Sequence, residues 1–140
     1  PLRPSRFVTQ KIVSAACKIL QGSQERLTLG RLDIVRDWGW APEYVEAMWA
    51  MMQQDYSDDY IIATGEANSL QDFVAETFLA LDLDWRRHVD SHEALYRPSD
   101  ISWSQGCAEK ALKNLNWSPT YKMNNVIRGM IDGNSGLFNL

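Results

Sequence analysis

Ile34-Val35-Arg36-Asp37-Trp38-Gly39-Trp40-Ala41-Pro42-Glu43-Tyr44-Val45-Glu46-Ala47-Met48-Trp49 changes structural period partway through. Ile34 to Arg36 reads as a short strand. Pro42 stands where a first helical residue can lack its N–H, and Glu43 and Glu46 favour the positive end of a helix. Tyr44, Val45, Met48, Trp49 and Met52 recur at helical steps, so the spacing predicts a helix from Pro42 to about Gln54 with one apolar face. A short strand running straight into a helix is the pattern of a mixed fold.

Outward from this stretch the same vocabulary repeats. Phe7, Val8, Ile12, Ala15, Ala16, Ile19 and Leu20 predict an amphipathic helix over 6–21, stopped by Gly22. Leu27 to Leu29 reads as a strand on the other side of Gly30. After the central helix, Asp58 and Asp59 turn the chain into Tyr60-Ile61-Ile62-Ala63-Thr64, a buried-looking strand ended by Gly65. Ser69 with Asp72 three residues on resembles a capping box, and Leu70, Phe73, Val74, Phe78 and Leu81 continue a third helix. Weaker helices are predicted at about 108–115 and 122–132. The expected class is a helix-rich α+β fold in one domain, 1–140, with strands too few and short for a complete nucleotide-binding core.

With 45% hydrophobic and 23% charged residues the chain has globular composition. No stretch approaches the roughly 18 consecutive apolar residues of a membrane span, and PLRPSR lacks the apolar core of a signal peptide, so a soluble chain without a membrane role is expected. Pro1 fits removal of an initiator Met and equally fits a piece of a longer protein. A net charge of −4 and a pI near 5.1 argue against a generic nucleic-acid binder. Arg3, Arg6, Lys11 and Lys18 nevertheless stand without an acid in residues 1–24, a basic end that suits a small anionic ligand or a solvated helix face. Cys17 and Cys107 have neither metal-like nor redox spacing, so a reducing, cytoplasmic compartment is expected.

Several chemistries are missing from the sequence. The eight glycines nowhere spell GxGxxG, and no tyrosine is followed four residues later by Lys. No GxSxG, Walker loop or HExxH occurs. His88 and His92, four apart with Asp90 and Glu93 nearby, could share a helix face for a metal, but the stretch has no helical apolar period and no metal is expected. Cys107 has no local signature of a nucleophile.

Arg36-Asp37-Trp38-Gly39 with Tyr44-Val45-Glu46-Ala47-Met48-Trp49 lies in register with several other landmarks. These are Phe7-Val8-Thr9, Lys11-Ile12, Ile62-Ala63-Thr64-Gly65-Glu66, Tyr96-Arg97-Pro98 and Leu115-Asn116-Trp117. Together they resemble the GDP-mannose 4,6-dehydratase family of extended short-chain dehydrogenases, from Pro1 to about Ile131. The match is to the C-terminal, substrate-binding portion. The family's Rossmann portion, with its NADP fingerprint, catalytic Thr and Glu and Tyr-x-x-x-Lys pair, has no counterpart in this sequence, so no catalytic residue is assigned.

The resemblance implies site residues position by position. Arg3 matches the second arginine of a Pro-Arg-Arg-Gly type loop that reaches the NADP phosphates across a subunit contact, and Leu2 replaces the first. Lys11 and Arg36 match basic residues on the GDP side of the substrate. Arg97 is a further nucleotide ligand, and Asp100 falls where members usually carry Glu. Arg6 replaces a usual Asn, Trp40 a common His and Cys107 a common Asp. Arg3, Arg36 and Arg97 stand near loop or strand ends, where planar guanidinium groups suit a diphosphate or a surface ion pair. Trp38 and Trp40 would stack on a base or pack as core or interface aromatics. Met48, Met51 and Met52 are expected as helix-face packing.

In the complete family enzyme the resemblance implies oxidation of hexose C4 by bound NADP, loss of water across C5 and C6, and return of the hydride to C6. The product is GDP-4-dehydro-6-deoxymannose, a precursor in GDP-fucose biosynthesis. The chain is thus expected to be the GDP-mannose-binding portion of such a lyase, retaining no NADP and not catalytic alone. The alternative is a truncated interaction protein that pairs with a full-length homologue. Association with the Rossmann portion or a homo-oligomer is expected in either case.

Overall fold

The computed structural model describes residues 2–97 and 99–134. Five helices and four short strands follow in the order α1 (Val8–Leu20), β1 (Leu27–Leu29), β2 (Val35–Asp37), α2 (Ala41–Met52), β3 (Ala67–Ser69), α3 (Leu70–Leu79), β4 (Val89–Ser91), α4 (Glu109–Leu115) and α5 (Met123–Asn134). Single 3-10 turns lie at Trp85–Arg87 and Glu93–Leu95. The helix-rich α+β class is as the sequence predicts.

The main core forms where α1, α3 and α5 pack together. Ile12, Val13, Ala16, Phe73, Val74 and Phe78 are fully buried there, and Ile127 is nearly so. Burying each large aliphatic or aromatic side chain contributes roughly 1.5 to 3 kcal/mol. The start of α3 is fixed by the capping box: Ser69 Oγ accepts the Asp72 N–H at 3.0 Å, and Asp72 Oδ2 accepts the Ser69 N–H at 3.0 Å. Reciprocal capping of this kind satisfies two helix-end donors that would otherwise lack partners.

The strands form two two-stranded sheets rather than one. β1 runs parallel to β4, with Leu27 opposite Val89, and β2 runs antiparallel to β3, with Val35 opposite Ser69 and Arg36 opposite Asn68. A bridge from Val35 to Trp103 brings the 102–104 segment beside β2. Both sheets therefore hold segments distant in sequence at the edge of the helical core.

Two expectations are corrected. Tyr60–Thr64 is no strand: it lies between α2 and β3 without a ladder partner among the described residues. Its ends are held by side chains instead. Lys110 Nζ donates to Asp58 Oδ1 at 2.6 Å and Asp59 O at 2.9 Å, and Lys122 Nζ donates to Thr64 O at 2.6 Å. An apolar run specifies burial, but a strand also needs a neighbouring backbone. The apolar face of α2 is the second correction. Val45, Met48, Trp49 and Met52 are at least 60% exposed, while Ala47 and the carboxylate-bearing Glu43 are buried. Of the three methionines, only Met51 is partly buried against the smaller cluster built on Ala47, Ala111 and Trp117.

Candidate functional site

β2 places alternate side chains on opposite sides of the strand. Arg36 Nη1 donates to its neighbour's Val35 carbonyl at 2.8 Å, and Nη2 donates to Asp100 Oδ1 at 2.9 Å. Both side chains are about three-quarters buried. The Asp100 N–H donates to Arg97 O at 3.2 Å, which closes the turn carrying the acid. Asp37, the next residue, faces other partners. Its Oδ1 accepts the Thr64 N–H and its Oδ2 the Gly65 N–H, each at 2.9 Å. Gly65 sits at φ +77°, a conformation that a Cβ would strain.

The loop from β1 to β2 lies against the segment that follows β4. Ser91 Oγ donates to Gly30 O at 2.9 Å and lies 3.5 Å from the Tyr96 hydroxyl. A Cβ on Gly30 would stand 2.9 Å from Leu95 O, so only glycine allows this approach. Next to it, Arg31 makes a two-pronged pair with Asp33: Nε to Oδ1 at 2.9 Å and Nη2 to Oδ2 at 2.6 Å. The pairing holds the Asp33 carboxyl below the usual carboxylate range and the Arg31 guanidinium more firmly protonated, with weaker help from Asp100 and Tyr96.

Of the residues implied by the resemblance, Arg36 and Asp100 meet directly, and Arg97 joins them through its backbone while its side chain is exposed. Pro98 of that match lies outside the described residues. Lys11, on the first turns of α1, reaches the neighbouring β1 edge, where Nζ donates to Thr28 O at 2.7 Å. Arg3 and Arg6 instead share the Phe7 ring, with guanidinium carbons 4.9 and 5.2 Å from its centroid. Arg3 also borders a cavity of about 720 Å³ walled by Leu2, Phe7, Trp40 and Val126. The basic N-terminal end is therefore divided: Lys11 belongs with the strands, Arg3 with an apolar pocket, and Arg6 with the Phe7 ring that helps to wall it.

The remaining polar candidates have structural partners. His88 Nδ1 lies 3.1 Å from Glu25 O and its ring stacks on Phe78, while His92 Nδ1 accepts the Ala94 N–H at 3.3 Å. Asp90 is taken by Arg26. Among the described residues no group of three or more His, Cys, Asp or Glu is placed to hold a metal ion. Burial pushes the Cys17 thiol up, which disfavours the reactive thiolate, and Cys107 is exposed. Trp38 packs 5.2 Å from Phe73, and Trp40 stacks on Tyr121 at 6.1 Å, so both follow the packing reading.

Sequence reasoning missed Arg31, Asp37 and the inward role of Glu43. Glu43 is 6% exposed and accepts N–H groups of Thr120 at 2.9 Å and Tyr121 at 3.2 Å, besides the Thr120 hydroxyl. Read only as a helix-end charge, it gave no sign of the loop 77 residues away. For Arg31 a signal existed, because an arginine directly after Gly30 at a strand end meets the same criterion as Arg36.

The family model of GDP-mannose 4,6 dehydratase matches residues 1–130. GDP-mannose 4,6 dehydratase 2 of Arabidopsis thaliana is 40% identical over 132 residues, covering 94% of this chain and 35% of the relative. The human GDP-mannose 4,6 dehydratase is 38% identical over 148 residues, covering 94% of this chain and 40% of the relative. The chain thus spans well under half the length of these relatives. Among solved structures, that of RMD from Pseudomonas aeruginosa complexed with NADPH superposes with a TM-score of 0.86 at 14% identity, covering 99% of this chain and 46% of that one. The last likeness concerns the fold alone.

Proposed function

The chain belongs to the GDP-mannose 4,6-dehydratase family, and from that membership we propose that it is the nucleotide-sugar-binding portion of such a lyase, acting on GDP-mannose on the way to GDP-fucose. The observation that carries this reading is the Arg36–Asp100 pair. A guanidinium held by one carboxylate and one carbonyl is pre-oriented for a second oxyanion such as a phosphate. Arg97, three residues before Asp100, adds positive charge, and Lys11, held at the β1 edge, is assigned to the same ligand through the family membership. In this reading the carboxylate of Asp100 serves the ribose hydroxyls, which it can accept, better than the phosphates, which it repels.

NADP fits this chain poorly. Arg3 is the one residue assigned to it, its guanidinium lies over Phe7, and the sequence supplies no glycine-rich turn. No chemical step is therefore assigned to these residues, and the proposed role is binding. A cytoplasmic setting is part of the same proposal. No helix among the described residues is long and apolar enough to cross a membrane.

A second reading, an interaction protein joining a full-length homologue or a further copy of itself, draws on the exposed face of α2. The two readings separate in calorimetry at millimolar GDP-mannose. Binding is expected to be weak and to decline with salt, since exposed phosphate contacts are screened. Arg36→Ala is expected to cost about 1.5 to 3 kcal/mol of binding, the worth of a hydrogen bond to a charged group. Unchanged affinity removes Arg36 from the site, and no binding at all favours the interaction protein.

A further inference from the structure

We infer that Arg31 is an additional phosphate-binding residue for the nucleoside diphosphate, a role that rests on the site proposed above. The ion pairs of the described residues fall into two kinds, those that join distant segments and the two, Arg31–Asp33 and Arg86–Asp84, that span two residues. Arg26–Asp90 and Arg36–Asp100 each join residues 64 apart, and Lys110–Asp58 joins residues 52 apart, so each staples separate segments. Arg31–Asp33 spans two residues and staples nothing. What it does is orient a guanidinium.

The surroundings fix where that guanidinium stands. Gly30 is locked against Leu95 and Ser91, so the backbone entering Arg31 is held beside the 91–96 segment. Asp100, the partner of Arg36, and Tyr96 add weaker electrostatic support to the Arg31 charge, behind that of Asp33. The 91–96 segment thus borders Gly30, the residue before Arg31, and Asp100 shortly beyond that segment holds Arg36. Asp33 engages the Nε and Nη2 positions and leaves Nη1 without a protein partner among the described residues. The pair is partly exposed, with side chains 32% and 68% accessible, so a ligand reaches it without unfolding anything. A diphosphate carries enough oxygens to engage two guanidinium groups, and bidentate geometry favours arginine over lysine at each.

Titration of the full chain with GDP tests this, using wild type, Arg36→Ala, Arg31→Gln, Asp33→Asn and the Arg31→Gln/Asp33→Asn double variant at two salt concentrations. Arg31→Gln should weaken GDP binding about five- to tenfold and flatten its salt dependence, as loss of one charge-assisted contact requires. Asp33→Asn keeps an acceptor for Nε but removes the opposing charge, so it should strengthen binding about two- to threefold, a gain absent from the double variant. Wild-type affinity in Arg31→Gln, alongside weakening in Arg36→Ala, overturns the role of Arg31 and leaves the site intact. A gain from Asp33→Asn that persists in the double variant also overturns it. Failure of the wild type to bind GDP instead overturns the site as a whole.

Discussion

Helices α1 and α2 are similar in length and both carry several large apolar side chains, yet they meet opposite surroundings. α1 buries Ile12, Val13, Ala16 and Ile19 against α3 and α5, whereas α2 turns Val45, Met48, Trp49 and Met52 outward. Its buried positions are Ala47 and Glu43, an alanine and an acid. Burial is thus a property of the neighbourhood, and an apolar stripe records only that some neighbour is wanted. Exposed apolar area on this scale is a feature of interaction surfaces.

The sharpest way to break the comparison is to truncate one residue on each helix-packing surface. Phe73→Ala, in the core that α1 shares, is expected to cost about 3 to 5 kcal/mol in urea denaturation. Trp49→Ala should stay within about 0.5 kcal/mol, as exposed positions usually do. Equal losses would mean that the α2 face is covered in solution.

Glu43→Ala probes the one side of α2 that is anchored. Removing several contacts to a charged acceptor should cost about 1.5 to 3 kcal/mol and loosen the 120–121 segment, seen as faster amide exchange at Thr120 and Tyr121. Wild-type stability and exchange would mean that α2 is held by Ala47 packing alone.

If the α2 face associates, Trp49→Glu should shift sedimentation towards the monomer and lower binding of a hydrophobic dye while leaving the melting temperature nearly unchanged. A wild-type chain that stays monomeric and dye-silent when concentrated removes the interaction reading.

The smallest effect belongs to the well-packed half. Arg26 holds the Asp90 carboxyl below the usual carboxylate range, chiefly by hydrogen bonding, so the unfolded chain binds that proton more readily. Its stabilising contribution is present above an ordinary Asp pKa of about 3.9 and is lost as pH falls through the lower folded value. Asp90→Asn should therefore lower stability slightly near neutrality, with the difference from wild type vanishing as pH falls through that window, so that the acid limb becomes slightly shallower. An unaltered acid limb would show that this exposed pair is energetically silent.

Local patterns carried much of the fold. The Ser69–Asp72 box and the Pro42 helix start are set by residues within a few positions of one another, whereas the 27–29 strand, though read from its apolar ends, is completed by the distant β4. Tyr60–Thr64 was misread because its strand character depends on a backbone partner that composition cannot reveal, and β3 was missed because Ala-Asn-Ser has little strand propensity. The site divided in the same manner. The family resemblance named Arg36 and Asp100, whose side chains meet, while Asp37 and Glu43 work through hydrogen bonds to segments 27 and 77 residues distant.

β2 has only three residues, yet its two central tasks sit on adjacent positions facing opposite ways: Arg36 towards Asp100 and Asp37 towards the Thr64–Gly65 turn. A slip of one residue would set Asp37 against Asp100 and Trp38 before the two N–H donors in one direction, or Val35 and Arg36 in those places in the other. The stretch from Leu32 to Ile34 is therefore intolerant of length change although it is irregular. Insertions there should be far more damaging than substitutions, the reverse of what a surface loop ordinarily permits.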